Sequence, residues 1–492
     1  MSLYRWDDAR VRAALEPLLG GEPDAPDAGD RVYTGISTDS RSVAPGELFV
    51  ALVGDRFDGH AFVGRAVAGG AAGVVVSRSP TGGALVGEGG VLEYRVADTL
   101  EALGALAAYR RSAAEAPVIA ITGSSGKTTT KDFTAAALSA AFSTHATTGN
   151  RNNRVGVPLT LFAMPTDAEA AVLELGTNEP GEIAALAAMT APDLAVVVTV
   201  GDAHIEKLGD LEGVLAEKLS LLRAQPAVAA RPIVGDRPAI LAERAREIRK
   251  DVRVAGTSHL ADSDLRARNV RHTPNGGTLF TWRDLEVRLR IPGRHAVTDA
   301  LIALTVAEAM DVEPAAAVRK LESVQPGAMR SELRSMGEIE LVVDCYNASP
   351  QSLEAALDLL HQRSRIRAPR SSVAFLGTML ELGAKSPALH RAALKGALDR
   401  GIDLIVATGE FADAARALEA NSGRVILADD WSDAYPALRE RLQGDEIILL
   451  KASRGVALEG VIPLLATDFS GADAEEAGPA DTEAGYNRGG GI

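Results

Sequence analysis

Two hydrophobic patterns alternate along this chain. Short unbroken apolar runs are followed by stretches in which apolar residues recur every three or four positions. The first pattern is that of strands covered on both faces, the second that of amphipathic helices packed over them. From Val118 the alternation is regular. Val118-Ile119-Ala120-Ile121 and the segments 171–175 and 194–200 read as buried strands with helices between them. After Pro326 a second series begins, with strands expected at 340–344, 372–376, 403–407, 424–427 and 446–450 and helices at 352–363 and 387–400. Such alternation predicts an α/β protein with parallel sheets, the second of them doubly wound. No G-x-G-x-x-G follows the first strand of that second series, so a nicotinamide cofactor is not supported.

The first 115 residues are less regular. Pro45-Gly46 marks a turn before the apolar run Leu48-Phe49-Val50-Ala51-Leu52, residues 66–76 read as a helix end entering a strand, and a helix over 100–115 stops at Pro117. The pattern therefore predicts three units, 1–115, 116–326 and 327–466, as expected for 492 residues. Residues 467–492 differ: Asp468, Asp473, Glu475, Glu476, Asp481 and Glu483 stand against Arg488 alone, and large apolar residues are few. This composition predicts a disordered acidic tail.

Charge narrows the partners. The formal net charge is −15, which disfavours nucleic acid and anionic membranes as general partners. The single cysteine, Cys345, excludes a disulfide scaffold and a multi-cysteine zinc site; it reads as a structural residue at a buried strand end. The charged N-terminus has no secretory apolar core and no run is long enough to span a bilayer, so the expected location is the cytoplasm.

Candidate chemistry concentrates after the Val118 strand. Thr122-Gly123-Ser124-Ser125-Gly126-Lys127-Thr128-Thr129-Thr130 joins that strand to a helix expected over 131–141. Glycines let successive N–H groups turn inward on phosphate oxygens, the helix N-terminus adds positive potential, Lys127 can reach terminal phosphates, and the Thr128 hydroxyl can ligate Mg2+. Ile121 occupies the first glycine position of the longer G-x-x-x-x-G-K-[ST] form. Glu174 sits inside an apolar run, where a carboxylate is either paired or bound to a metal. His204 follows another strand, as a ligand or a structural residue. Lys218 lies on the same helical stripe as Leu211 and Leu222, beyond a helix start capped by Asp210. A lysine there pairs with an acid, snorkels, or is chemically altered, for example as a carbamate.

Together these segments resemble the Mur ligase family of ATP-dependent amide-bond-forming enzymes, over residues 33–466. The resemblance rests on 123–131, on Gly149-Asn150-Arg151-Asn152-Asn153 with Gly156-Val157-Pro158, and on Glu174-Leu175-Gly176-Thr177-Asn178 with Gly181-Glu182-Ile183. It also rests on Ala203-His204-Ile205-Glu206, Asp344-Cys345-Tyr346-Asn347-Ala348-Ser349-Pro350 and Met379-Leu380-Glu381-Leu382-Gly383. It implies an N-terminal α/β UDP-sugar-binding domain, a central P-loop parallel-sheet ATPase domain and a C-terminal Rossmann-like doubly wound domain. The implied reaction is ATP-dependent joining of D-alanyl-D-alanine to a UDP-N-acetylmuramoyl-tripeptide through an acyl phosphate, by a monomer. A divergent ligase joining another amine to another carboxylate in secondary metabolism is the alternative.

The resemblance also implies residue roles. Gly123, Ser124, Ser125, Gly126, Lys127, Thr128, Thr129, His295, Asp299, Arg330, Asp344 and Asn347 would contact ATP; Thr128, Glu174 and His204 would hold Mg2+; Lys218 would be carbamylated. Asn152 would act beside Lys127 at the reacting carboxylate. Ser40, Arg41, Asp58, His60, Asn153, Lys451 and Arg454 would bind substrate. One segment departs: where the family commonly reads G-x-H-N-x-x-N-A, this chain has Ala296 and Asp299. An asparagine amide donates and accepts, alanine does neither, and an ionised aspartate only accepts.

Overall fold

The computed structural model describes residues 3–19, 31–54, 56–78, 91–226, 230–273, 276–366, 370–420 and 423–469. The expected tail falls at 470–492, outside those residues, while its first positions, 467–469, finish a helix (Val461–Phe469) in which Asp468 accepts a hydrogen bond from the Tyr435 hydroxyl.

Near the N-terminus, β1 (Ile36–Ser37), β2 (Leu48–Val50), β3 (Gly73–Val76) and β4 (Leu92–Arg95) form a parallel sheet in that order. Helix α1 (Thr99–Ser112), capped by Asp98, packs Leu103 and Leu106 onto it.

The central sheet is parallel, built from β5 (Val118–Thr122), β6 (Thr144–Ala146), β7 (Ala170–Glu174), β8 (Leu194–Val197), β9 (Ile233–Gly235) and β10 (Arg253–Ala255). Its spatial order is β10-β9-β8-β5-β7-β6. Strands β5, β7 and β8 are buried along their whole length, as their unbroken apolar runs require. Helices α2 (Lys127–Leu138), α3 (Glu182–Thr190) and α4 (Leu211–Ala224) cover its faces. Strand β8 ends at Val197, three residues before its expected end, because 198–200 leave the sheet to brace the phosphate loop.

An antiparallel meander follows that periodicity did not reveal: β11 (Arg268–His272), β12 (Thr278–Trp282) and β13 (Leu285–Leu289). Its buried Phe280, Trp282 and Val287 close over helix α5 (Arg294–Ala309), which packs into the central core.

The last sheet runs β14-β15-β19-β16-β17-β18, from β14 (Glu332–Met336), β15 (Ile339–Val343), β16 (Ser372–Leu376), β17 (Leu404–Thr408), β18 (Val425–Ala428) and β19 (Ile447–Lys451). All neighbours are parallel except the edge strand β14, an unexpected hairpin partner of β15. Helices α6 (Pro350–Ile366) and α7 (Ser386–Asp399) correspond to the two expected ones. Among the described residues no helix is long and apolar enough to cross a membrane.

Candidate active site

The phosphate loop leaves β5 at its C-terminal end, where open α/β sheets place their ligands. Gly126 has φ +79°, a left-handed turn that lets α2 begin directly at Lys127 rather than at 131. A side chain there would also collide: an ideal Cβ lies 2.6 Å from Asp299 Oδ1 and 2.8 Å from Val198 Cγ1. The loop is braced by the segment after β8. Ser124 N–H donates to the Thr199 carbonyl (2.9 Å), Ser125 N–H to Thr199 Oγ1 (3.0 Å), and Gly201 N–H to Ser124 Oγ (3.0 Å). Lys127 folds back so that Nζ donates to the Gly123 carbonyl (2.8 Å). Burial holds its ammonium below the ordinary lysine range; Glu174 opposes that shift and Arg330 adds to it.

Glu174 ends β7, paired with Ile121 of β5, and is 3% exposed. One carboxylate oxygen accepts from Thr128 Oγ1 (2.9 Å) and the other from Asn152 Nδ2 (2.8 Å), while its own N–H donates to Thr147 Oγ1 (3.0 Å). A buried carboxylate held by donors fits a hard cation, for which oxygen ligands and phosphate are the preferred set. Among the described residues no three His, Cys, Asp or Glu side chains converge as a metal cluster. A cation here would therefore draw on the Thr128 hydroxyl, on phosphate and on further oxygen as well.

Lys218 lies on the covering helix α4. Asp210 caps α4 by accepting from Gly213 N–H (2.9 Å), and Lys218 faces inward, 1% exposed, as its stripe predicted. Burial, then repulsion from Lys127, pushes its ammonium down to about 7, against an opposing pull from Glu217. Glu217 does not neutralise it directly, because its carboxylate accepts from Gly181 N–H and Ile183 N–H (2.7 Å each), fixing the start of α3.

The remaining predicted residues fall into separate groups. His204, in a left-handed conformation (φ +58°), points Nδ1 at Glu381 Oε2 (2.5 Å) across the junction with the last unit. Arg330 lies between two left-handed residues, Met329 (φ +57°) and Ser331 (φ +52°), with its guanidinium 3.9 Å from the Tyr346 ring centroid. Asp344 accepts from Ser331 N–H (3.0 Å) and pairs with Lys451 Nζ (2.7 Å), which also donates to the Asn347 carbonyl (2.7 Å). The Asn347 side chain accepts from Ala348 N–H (2.9 Å). Lys451 is thus a buried strut of this loop, whereas Arg454 remains at the surface, paired with Glu459 (2.6 Å) and touching Met329. Asn153 Oδ1 accepts from Gly156 N–H (2.8 Å) at a helix start. Thr129, in the first turn of α2, is half-buried.

In the first unit, Asp58 accepts from His60 N–H (3.0 Å) and Nδ1 (2.7 Å), and His60 Nε2 accepts from Ser77 N–H (2.9 Å). Arg41 is exposed and grips Asp39 with two nitrogens (2.7 and 2.9 Å); Ser40 beside it is half-buried. Cys345 is fully buried, its thiol pushed up to about 12.

The departing segment reads differently in three dimensions. Ala296 is buried in the apolar core, where an amide would lack partners. Asp299 is 3% exposed, against Gly126 and beside Thr130, and burial pushes its carboxyl up to about 8. With its carboxyl held near 8 it keeps its proton at neutral pH and so has both a donor and an acceptor to offer, as an amide does. His295, half-buried ahead of it, is held below the ordinary histidine range by burial. Sequence reasoning missed the braces Thr147, Thr199 and Gln351; the last donates Nε2–H to the Val200 carbonyl (2.9 Å) from 151 residues away.

Comparison with known proteins matches three family descriptions: Mur ligase family, catalytic domain, over 32–111; Mur ligase middle domain over 121–307; and Mur ligase, glutamate ligase domain, over 329–454. UDP-N-acetylmuramoyl-tripeptide–D-alanyl-D-alanine ligase of Bacillus subtilis is 33% identical over 88% of this chain and 93% of its own. The Escherichia coli enzyme of the same name is 34% identical over 92% and 97%. Among solved structures, MurF from Acinetobacter baumannii superposes with a TM-score of 0.85 at 30% identity, covering 95% of this chain and all of that one. MurF from Thermotoga maritima in complex with ADP gives 0.77 at 26% identity, over 88% and 97%.

Proposed function

The chain belongs to the Mur ligase family, and on that premise we propose that it uses ATP to join D-alanyl-D-alanine to a UDP-N-acetylmuramoyl-tripeptide, a step of peptidoglycan precursor synthesis. The observation that carries this reading is the Glu174 carboxylate, held by Thr128 and Asn152 immediately beside the phosphate loop. It is supported by relatives named for that reaction along nearly the whole chain.

The reaction has two transfers. The tripeptide's terminal carboxylate oxygen attacks the γ-phosphorus; the O–P bond forms, the bond to ADP breaks, and an acyl phosphate results. The amine of D-alanyl-D-alanine then attacks the acyl carbon; the C–N bond forms, inorganic phosphate leaves, and the amine loses its proton. Both transfers gather phosphates and a carboxylate, so catalysis rests on positioning and charge stabilisation. Lys127 exchanges the Gly123 carbonyl for phosphate, the N–H groups of Gly126, Lys127 and Thr128 at the start of α2 cradle the phosphates while those of Ser124 and Ser125 stay on Thr199, and Arg330 adds charge from the last unit. Asn152 donates to Glu174 and would act beside Lys127 at the reacting carboxylate.

Thr128 and Glu174 would hold Mg2+, with His204 as a further ligand from the junction, and the ion would supply positive charge against the phosphates. Lys218, free to lose its proton near pH 7, would add to CO2: the N–C bond forms, a proton leaves to solvent, and the resulting carbamate offers the site two oxygens that share one negative charge. Ser40, Arg41 and Asp58 would belong to the surface that receives the UDP-sugar, with the buried His60 bracing Asp58 from behind. The test is phosphate release on mixing ATP, UDP-N-acetylmuramoyl-tripeptide and D-alanyl-D-alanine. Release that needs both substrates is expected; release only with a different acid and amine overturns the assignment.

A further inference from the structure

The segment Met379-Leu380-Glu381-Leu382-Gly383 has no part in the scheme above, yet it is held at several points at the junction of the central and last units. It follows β16 and is pinned just before Glu381: Met379 N–H donates to the buried His390 Nε2 (2.9 Å) and Leu380 N–H to Ser453 Oγ (2.9 Å). Glu381 then adopts φ +66°, a conformation disfavoured for a residue with a Cβ. This turn drives it against the central unit. Its carbonyl accepts from Glu206 N–H (3.3 Å), and its carboxylate reaches His204 Nδ1 (2.5 Å). His204 is itself left-handed, so two non-glycine residues in that conformation meet head to head. The junction is tight around them. A Cβ on Gly383 would lie 3.1 Å from Glu206 Cα, and one on Gly201 would overlap the Gln351 amide. Backbone strain persists only where surrounding structure enforces it, and it gathers at functional sites.

The Glu381 carboxylate sets negative charge 2.5 Å from Nδ1, which favours the proton on that nitrogen and leaves the Nε2 lone pair available. Histidines that hold cations are oriented in this way by a carboxylate behind the ring. We propose that Glu381 is a positioning residue for His204: it fixes the tautomer and direction of the imidazole, and because it comes from the last unit, His204 is set only when that unit is seated. This rests on the reading that His204 serves the cation side of the site. It makes seating of the amine-bringing unit and completion of the phosphate site a single event.

Glu381→Gly tests this cleanly, because glycine relieves the left-handed strain while removing the carboxylate. The variant is expected to keep or raise its thermal midpoint, to lose about 10–100-fold in turnover, and to bind Mn2+ with a non-hydrolysable ATP analogue about 10–100-fold more weakly. Glu381→Gln keeps an acceptor for Nδ1–H and is expected to recover most of both. In protein labelled with 15N-histidine, the ring signals lost in His204→Gln identify His204; they are expected to show a protonated Nδ1 in the wild type and a mixed tautomer in Glu381→Gly. Wild-type Mn2+ affinity together with an unchanged tautomer in Glu381→Gly overturns the proposal. Full activity and Mn2+ affinity in His204→Gln instead overturns the reading of His204 on which it rests.

Discussion

Replacing Asp299 by asparagine is expected to stabilise the protein, and increasingly so as pH rises. Asp299 is 3% exposed between α5, the phosphate loop and Val198, and burial pushes its carboxyl from 3.8 to about 8. Between those values the folded chain keeps the proton and the unfolded chain loses it. Unfolding therefore releases a proton, and wild-type stability must fall with pH across this window and flatten above about 8. One pH unit corresponds to about 1.4 kcal/mol, so the accumulated loss at pH 7 is about 4 kcal/mol. Asparagine has nearly the same shape, donates and accepts, and does not titrate in this range. Denaturant or thermal unfolding of both proteins from pH 5 to 9 measures the effect. The stability difference is expected to grow by about 4 kcal/mol between pH 5 and 8 and then level. Parallel pH curves would show that Asp299 titrates normally and refute its description as a neutral buried acid.

Three further substitutions probe the site. Gly126→Ala places a Cβ at φ +79° and 2.6 Å from Asp299 Oδ1; a loss of about 2–4 kcal/mol in unfolding free energy and of ATP binding is expected. Lys218→Ala is expected to lose about two orders of magnitude in phosphate release, partly restored by formate or acetate; full activity without them would remove the carbamate. Glu217→Ala leaves the N–H groups of Gly181 and Ile183 without their acceptor, and should cost about 2–4 kcal/mol by denaturant unfolding; an unchanged midpoint would show that water replaces the carboxylate.

What the chain discloses in advance follows from how local the governing physics is. β5, β7 and β8 were legible because strands buried on both faces must be apolar throughout. Lys218 was legible because an inward-facing lysine breaks its helix's own stripe. The meander β11–β13 was not, since β11 holds one apolar residue, Val270, and a register shift between Arg268 and Arg271 breaks its pairing, while the clean alternation of β13 lasts only five residues. The helix start at Lys127 was misplaced because polar Thr128, Thr129 and Thr130 resemble a loop until the left-handed Gly126 is seen. Asp299 was read as ionised because protonation depends on burial, which only tertiary packing decides. Glu381 had no visible role because its partner, His204, lies 177 positions away in the chain.

Isotope transfer tests the central claim of carboxylate activation most directly. UDP-N-acetylmuramoyl-tripeptide labelled with 18O in its terminal carboxylate is incubated with ATP, Mg2+, D-alanyl-D-alanine and the protein. An acyl phosphate leaves one labelled oxygen on the phosphate when the amine displaces it. The account predicts one 18O per inorganic phosphate released, matched by one amide formed. Unlabelled phosphate, or release of pyrophosphate and AMP, would contradict it.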